Sequence, residues 1–536
     1  MNHPGVFFES NRTIRNFVEA AYQTLKSSGT VPIARLEDKY LEMAPCIHEK
    51  ASDPEIDTTA LGYIYPRLPE CVIDSTHIYL GQSESIFQES GLDVENWDDV
   101  YAIARRRRYL YDREGKRLAV FLSSKSDIDD VIPALLGFQI EWNKINARIS
   151  SGSLTHDEIS GLKKVFGDAY DSIISRACQG RMSYLLINCE ASYSRYRQES
   201  EKWWKSISSH FPGLSERTVY FVSSNTHSLI NLLSGFAESH ADEILGYASR
   251  SGMEGLAGKY EKSLDERERS YILYYILKDY ETKNREVLQR RIAWEESRGI
   301  YRHYNRKLLD ISTQIIDIGK LSGTAAGVNA GMGLPAELDP DAVIVNIDYP
   351  LGRTAYFVLS KLSEHLKHIA GIYVIGKAAS LFAGRGDIVI PTTIYDQQTC
   401  TLYHIDNVFD AKSLADCFIS DSHGIYDRQK AVTVLGTFIQ NQQLLDAFQN
   451  EKIMDIEMEA GPYLSAYYEI SNPNRYPENS TVVFGREGIE LGIIHYVSDN
   501  PNSHRKLDEA LAWDGIDATY AASSAVLNRI LKGVCR

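Results

Sequence analysis

At 536 residues the chain is longer than one compact core accommodates, so two or three domains are expected, and an apolar share of 43% is enough to bury each. A net charge of −15 excludes a broad surface for nucleic-acid phosphates, although one or two well-placed cations could still form a local phosphate pocket. The seven cysteines include no C-x-x-C pair, which argues against a disulfide framework and a zinc site and fits a reducing compartment.

The first residues lack a basic stretch followed by an apolar one, and no apolar run reaches membrane-spanning length, so a cytoplasmic protein without a membrane partner is expected. Residues 1–150 read as an N-terminal α/β region. Within it, Arg107–Tyr111 and Arg117–Leu122 flank the turn Asp112–Lys116 as a hairpin. The basic run Arg105–Arg108 is expected on a solvated or domain-bridging surface, with Asp98, Asp99 and Asp112 available to pair with it.

Residues 151–320 read as a helix-rich region. Ser151–Ser153 is linker-like, an amphipathic helical stretch follows, and Phe211-Pro212-Gly213 closes it. The segment 217–236 reads as a buried strand, a polar elbow and a helix; Ser223 to Ser228 either cap that helix or offer its amides to an anion. From Ser263 to Lys320 the pattern is that of solvated, charged helices with interleaved aromatics, and the Gly- and Ala-rich stretch Gly323–Gly333 marks a change of domain.

Residues 321–536 carry the sharper pattern. Ala342–Asp348, Thr354–Leu366 and Gly371–Ile375 form a β-α-β unit with a parallel crossover. Strands are expected at Asp387–Pro391, Ala431–Leu435, Lys452–Ile456 and Gly492–Asp499, with helices near Gln442–Phe448, after Gly461-Pro462, and along Ile516, Tyr520, Ser523, Leu527 and Leu531. The expected fold is α/β: a mixed, mostly parallel sheet flanked by helices, preceded by a helix-rich α/β N-terminal region.

Several motifs in this last region carry a resemblance. Ile456-Glu457-Met458-Glu459-Ala460 is similar to the ribose-binding acidic motif of the nucleoside phosphorylase and nucleosidase superfamily, and Val497-Ser498-Asp499 to its catalytic-aspartate strand end. Gly371–Gly376 with Gly386–Pro391 resembles its glycine-loop strand pair, and Leu435-Gly436-Thr437 the segment lining its base pocket. The N-terminal part matches no motif of that superfamily, although a large N-terminal extension is reminiscent of its AMP nucleosidases.

The resemblance implies cleavage of the N-glycosidic bond of a purine nucleoside or nucleotide, without cofactor or metal, in a homo-oligomer. It places Glu459 on the ribose hydroxyls, Met458 under the sugar, Thr437 at the base and Asp499 as the catalytic acid on the base. Breaking this bond builds positive charge on the sugar and negative charge on the departing base, which is why acids are needed there. Glu457, next to Met458 in an extended segment, is expected to face away as a structural residue.

Two departures from the pattern bear on the nucleophile. After Gly376 the chain reads Lys377-Ala378-Ala379-Ser380-Leu381 in place of a glycine-rich phosphate loop, and Asp348–Arg353 replaces a glycine-rich turn into a helix. Lys377 and Arg353 become candidate phosphate ligands, and water is preferred over phosphate as the attacking group. A phosphorolytic enzyme, or a non-catalytic nucleotide-binding protein retaining the fold, stand as alternatives.

Overall fold

The apolar runs become strands of two sheets in the computed structural model, which describes residues 12–26, 29–105, 107–190, 192–321, 338–420, 422–485, 488–500 and 513–533. The first sheet orders six strands as β1 (Val31–Pro32), β6 (Leu185–Asn188), β2 (His77–Gly81), β5 (Arg117–Phe121), β4 (Tyr109–Asp112) and β3 (Asp98–Val100). β2 runs parallel to β5 and β6, and β4–β5 is the expected hairpin. Helix α1 (Lys125–Ser150), opened by a capping box at Ser124 and Asp127, packs this sheet against the rest of the chain.

The second sheet holds β7 (Thr218–Ser224), β8 (Ile300–His303), β9 (Thr313–Asp317), β10 (Ala342–Asp348), β11 (His368–Ser380), β12 (Ile388–Asp396), β13 (Thr401–His404), β14 (Ile425–Thr433), β15 (Asp455–Glu457), β16 (Thr481–Val483) and β17 (Glu490–Asp499). The expectation of a mostly parallel sheet is corrected: β9–β10, β8–β9, β11–β15, β12–β13 and β12–β17 are antiparallel. The physical reason is that β8–β9 and β12–β13 follow one another through short connections, which return the chain beside itself in the opposite direction. β11 pairs β17, β17 pairs β12, β12 pairs β14, β14 pairs β15 and β15 returns to β11, so the sheet curls into a small barrel whose ring includes two antiparallel pairs, β12–β17 and β11–β15.

The boundary placed at residue 321 runs through one sheet, since β7, β8 and β9 precede it and hydrogen-bond with the strands that follow. The stretch Gly323–Gly333 itself lies outside the described residues. A single apolar core runs from Ile14 and Tyr40 through Leu135 and Phe138 to Phe438, Phe448 and Ile493. The N-terminal region is therefore built into the same core as the barrel.

Helices α2 (Tyr193–His210), α6 (Thr354–His365) and α7 (Ala460–Ser471) cover one side of the second sheet, and α3 (Ser228–Ser234) and α8 (Trp513–Gly533) the other. The charged stretch after Ser263 forms α4 (Glu266–Lys283) and α5 (Arg285–Glu296), which enclose their own small core around Ile272, Ile276 and Val287. Of the solvated or domain-bridging surface expected for the basic run, the solvated form is corrected: Arg108 bonds Asp310 and the Arg306 carbonyl as well as Asp99. Arg107 and Arg108 are buried, Arg107 against Asp127 and Asp130 of α1, and Arg108 against Glu84 and against Asp99 of β3. Arg106 lies outside the described residues. Among the described residues no helix is long and apolar enough to cross a membrane.

Candidate active site

The crossovers of the second sheet dictate where a ligand can sit. β7 lies between β10 and β11 and runs parallel to both, so the chain leaves neighbouring strand ends in opposite directions and opens a crevice at their C-terminal edge. Ser223–Asn225, Asp348–Arg353 and the end of β11 converge there, joined by Asp499 at the end of β17. The polar elbow acts as a cap: Asn225 Oδ1 accepts the His227 and Ser228 amides at 2.9 and 2.6 Å, leaving them engaged rather than open to an anion.

Lys377–Ser380 is not a loop. The stretch continues β11, pairing with β17 on one side and β15 on the other, and turns only afterwards. Ala379 is the register partner of both Asp499 and Ile456, so these two lie on opposite sides of one strand, roughly 10 Å apart at the usual ~4.8 Å strand spacing. A register shift at Ala378/Ala379 re-aims the end of β17 at Asp499, a use of bulges common beside reactive centres. Asp499 is half-buried and accepts the Asn500 amide at 2.9 Å.

Glu457 and Glu459 part because β15 ends at Glu457 and the chain turns into α7 at Ala460, with Glu459 already out of extended backbone. Glu457 is buried, accepts the amides of Glu459 and Ala460 at 2.6 and 2.7 Å and the Thr433 hydroxyl, and thereby caps α7. The half-buried Glu459 carboxyl is held by the Met458 and Gly352 amides. Burial first, and the Glu457 charge second, push it up to about 8. Met458 is buried at the edge of the core directly before it.

Inside the barrel, His495 donates or accepts through Nδ1 at Asp455, and its Nε2 has no partner among the described residues. Burial lowers its affinity for a proton, but Asp455, Glu457 and Glu459 outweigh that and raise it above the ordinary histidine range. Gly376 faces this ring. A side-chain carbon at Gly376 would stand 2.5 Å from His495 Cδ2, so the residue expected to touch substrate has a packing reason to be glycine. Sequence reasoning missed His495 because a lone histidine in an apolar strand carries no signal of what its neighbours across the sheet will be.

The remaining predicted residues separate. Thr437 lies on the stretch leaving β14, and its Oγ1 is buried without a partner among the described residues. The Arg353 guanidinium bonds the Tyr476 hydroxyl and lies over the Tyr356 and Tyr476 rings at 5.2 and 5.3 Å, while its amide donates to Ser126 Oγ at 2.9 Å. Lys377 stays open to solvent but crowded by protein. Burial, then Arg67, hold its ammonium below the ordinary lysine range; Arg105 acts the same way and Asp499 opposes them.

The N-terminal region forms part of the wall. Tyr63 packs edge-on against Phe438 at 5.4 Å, the Gln440 carbonyl accepts the Cys46 amide at 2.8 Å, and Ser126 touches Gly352. None of this was legible in the sequence, since these contacts join segments hundreds of residues apart. A cavity of about 400 Å³ opens elsewhere, beside Glu490 at the other end of β17, lined by Asn407, Phe409, Asp427 and Arg529. Among the described residues the one group with metal-like spacing is Glu201, Glu364 and His365, where the Lys361 ammonium already pairs with both carboxylates.

The model of a family of unknown function (DUF6909) matches residues 33–156 and 150–532. No curated protein matches. Among solved structures, the 5′-methylthioadenosine/S-adenosylhomocysteine nucleosidase of Campylobacter jejuni is 8% identical with a TM-score of 0.32, over 59% of this chain and 99% of that one. The Neisseria meningitidis enzyme in complex with methylthio-immucillin-A is 12% identical with a TM-score of 0.30, over 59% and 99%. Arabidopsis thaliana 5′-methylthioadenosine nucleosidase is 9% identical with a TM-score of 0.30, over 59% and 96%.

Proposed function

The chain belongs to the family of unknown function DUF6909, and for it we propose hydrolysis of the N-glycosidic bond of a purine nucleoside or nucleotide, with release of the free base. The observation that carries this reading is the placement of Asp499 and the Glu459 segment on either side of Ala379, at the edge where parallel strands end. Asp499 and Ile456 stand roughly 10 Å apart across one strand, and Glu459 follows three residues after Ile456, a span that suits a ribosyl-base unit.

In this reading Asp499 hydrogen-bonds or protonates the base as it departs, drawing electrons out of the C1′–N bond. Glu459 takes the ribose hydroxyls. With its proton affinity raised, it enters as a neutral acid and can donate as well as accept, and deprotonation would then favour the positive charge growing on the sugar. Met458 supplies an apolar floor, and the unpartnered Thr437 hydroxyl is a group a base could satisfy. Water is the preferred nucleophile because the expected phosphate loop is strand β11, whose amides are committed to β15 and β17.

The test is chromatographic release of free base from purine nucleosides and nucleotides, with and without inorganic phosphate. Asp499→Asn is expected to slow release by about 100-fold or more, the usual weight of a general acid. Equal turnover by wild type and the Asn variant would remove Asp499 from the chemistry, and strict dependence on phosphate would replace hydrolysis by phosphorolysis.

A further inference from the structure

The cavity beside Glu490 stands apart from the candidate active site. At about 3.3 Å per residue, β17 carries it roughly 30 Å from Asp499. Its volume of about 400 Å³ suits a small molecule. One wall is the loop after β13, which Asn407 pins across two strands. Asn407 Nδ2 donates to the Pro391 and Ile493 carbonyls at 2.9 and 2.8 Å, and its Oδ1 accepts the Phe409 and Ile493 amides at 3.2 Å each. The Phe409 ring then lies against Gly492, where a side-chain carbon would meet it at 2.3 Å. Phe484, which follows β16, adds a second ring to the lining.

The opposite wall is a bulge in β14. Where β12 offers Ile390 alone, just before Pro391, β14 sets two residues against it, Asp427 and Arg428. Arg428 takes a φ of +54°, and the Gln429 side chain donates to the Asp427 carbonyl at 2.7 Å. Neighbours in a regular strand face opposite sides, whereas the bulge lets both of these line the cavity.

The charges on the lining differ in how far they are already satisfied. Arg529 donates to Glu490 at 2.5 and 3.1 Å, a closed pair that Tyr373 completes at 2.8 Å. Asp427 accepts only the Ala411 amide, at 3.3 Å, and Asp410 the Ser413 amide at 2.9 Å, so each carboxylate keeps acceptor capacity. The exposed Arg428 guanidinium has no hydrogen-bond partner among the described residues. A simple anion meets the carboxylates there and a simple cation meets Arg428; a molecule bearing both signs satisfies each.

We infer that this cavity binds a small zwitterion, an α-amino acid with an apolar side chain. Its carboxylate takes the two-point edge of Arg428, its ammonium lies at Asp427 and Asp410, and its side chain packs on Phe409 and Phe484. The site rests on the cavity and its lining, and it is independent of the glycosidic-bond reading.

Binding to the full chain is measured by titration calorimetry with L-phenylalanine, L-leucine, phenethylamine, which lacks the carboxylate, and 3-phenylpropanoate, which lacks the ammonium. The variants are Arg428→Gly, which suits the positive φ while removing the guanidinium, and Asp427→Asn, which keeps an acceptor for the Ala411 amide. Near-ultraviolet circular dichroism checks the fold, and the four probes on the wild type decide the charge requirement without any variant. At least one amino acid is expected to bind, and phenylalanine about tenfold or more tighter than either fragment. Each variant should weaken amino-acid binding about tenfold or more, while Arg428→Gly leaves phenethylamine unweakened. No saturable binding of either amino acid up to about 10 mM, or binding untouched by both variants, overturns the site. Phenethylamine binding as tightly as phenylalanine, with both indifferent to Arg428→Gly, overturns the zwitterion in favour of an organic cation.

Discussion

Replacing Gly376 with alanine tests whether the barrel interior is as tightly specified as its geometry indicates. The new methyl would stand 2.5 Å from His495 Cδ2 and 3.1 Å from Nε2, inside ordinary contact distance for both atoms. His495 and Asp455 are each fully buried, and the ring is fixed through Nδ1 at Asp455, so it cannot swing aside without giving up that bond. Overpacking a filled core costs about 1–3 kcal/mol, and loss of a hydrogen bond between charged partners costs about 1.5–3 kcal/mol.

Since the methyl forces one or the other, a loss near 3 kcal/mol is expected. Urea denaturation followed by fluorescence measures it, and the cycle completed by His495→Ala and the double variant isolates the clash. The double variant should be more stable than the sum of the single losses by about 1 kcal/mol or more, because the second substitution removes the atoms the first one strikes. A loss for Gly376→Ala within about 0.5 kcal/mol of zero, or strict additivity in the cycle, would refute the packing account of this glycine.

Three further outcomes follow from the same geometry. Gly352 has φ of +53° and a substituent there would meet Ser126 Oγ at 2.3 Å, so Gly352→Ala should displace the loop whose amide holds Glu459 and reduce base release; Gly352→Ala with Ser126→Gly should recover part of it, measured as kcat/KM. Glu459 keeps its proton in the folded chain to about 8, whereas the unfolded chain releases it in the ordinary glutamate range. Its stabilising contribution is therefore present at low pH and lost as pH rises toward that value, and Glu459→Gln should flatten the fall in denaturation midpoint over this window. Arg291 is buried between Glu281, Glu295 and Asn231, so Arg291→Ala should cost about 3 kcal/mol in thermal or urea unfolding by leaving buried acceptors short of a partner.

Local chemistry fixed much of the element order before any tertiary contact was known. The runs Ala342–Val345 and Val219–Val222 are continuously apolar because both faces of those strands are covered. Glu457 and Glu459 part, one capping α7 and one held by the Gly352 amide, because the chain turns from strand into helix between them.

What the sequence could not decide was who meets whom. Strand direction depends on which strands meet across the sheet, and the antiparallel pairings of β15 with β11 and of β12 with β17 are set by those partners and not by any residue within them. Whether Lys377–Ser380 is loop or strand depended on partners waiting on both sides. The buried state of Arg107 depended on a row of acids on α1, and the docking of the N-terminal region on the barrel on the packing of Tyr63 against Phe438. Periodicity and motif spacing read interactions along the chain; a site assembled from segments hundreds of residues apart is set by packing, and packing exists only once the chain has folded.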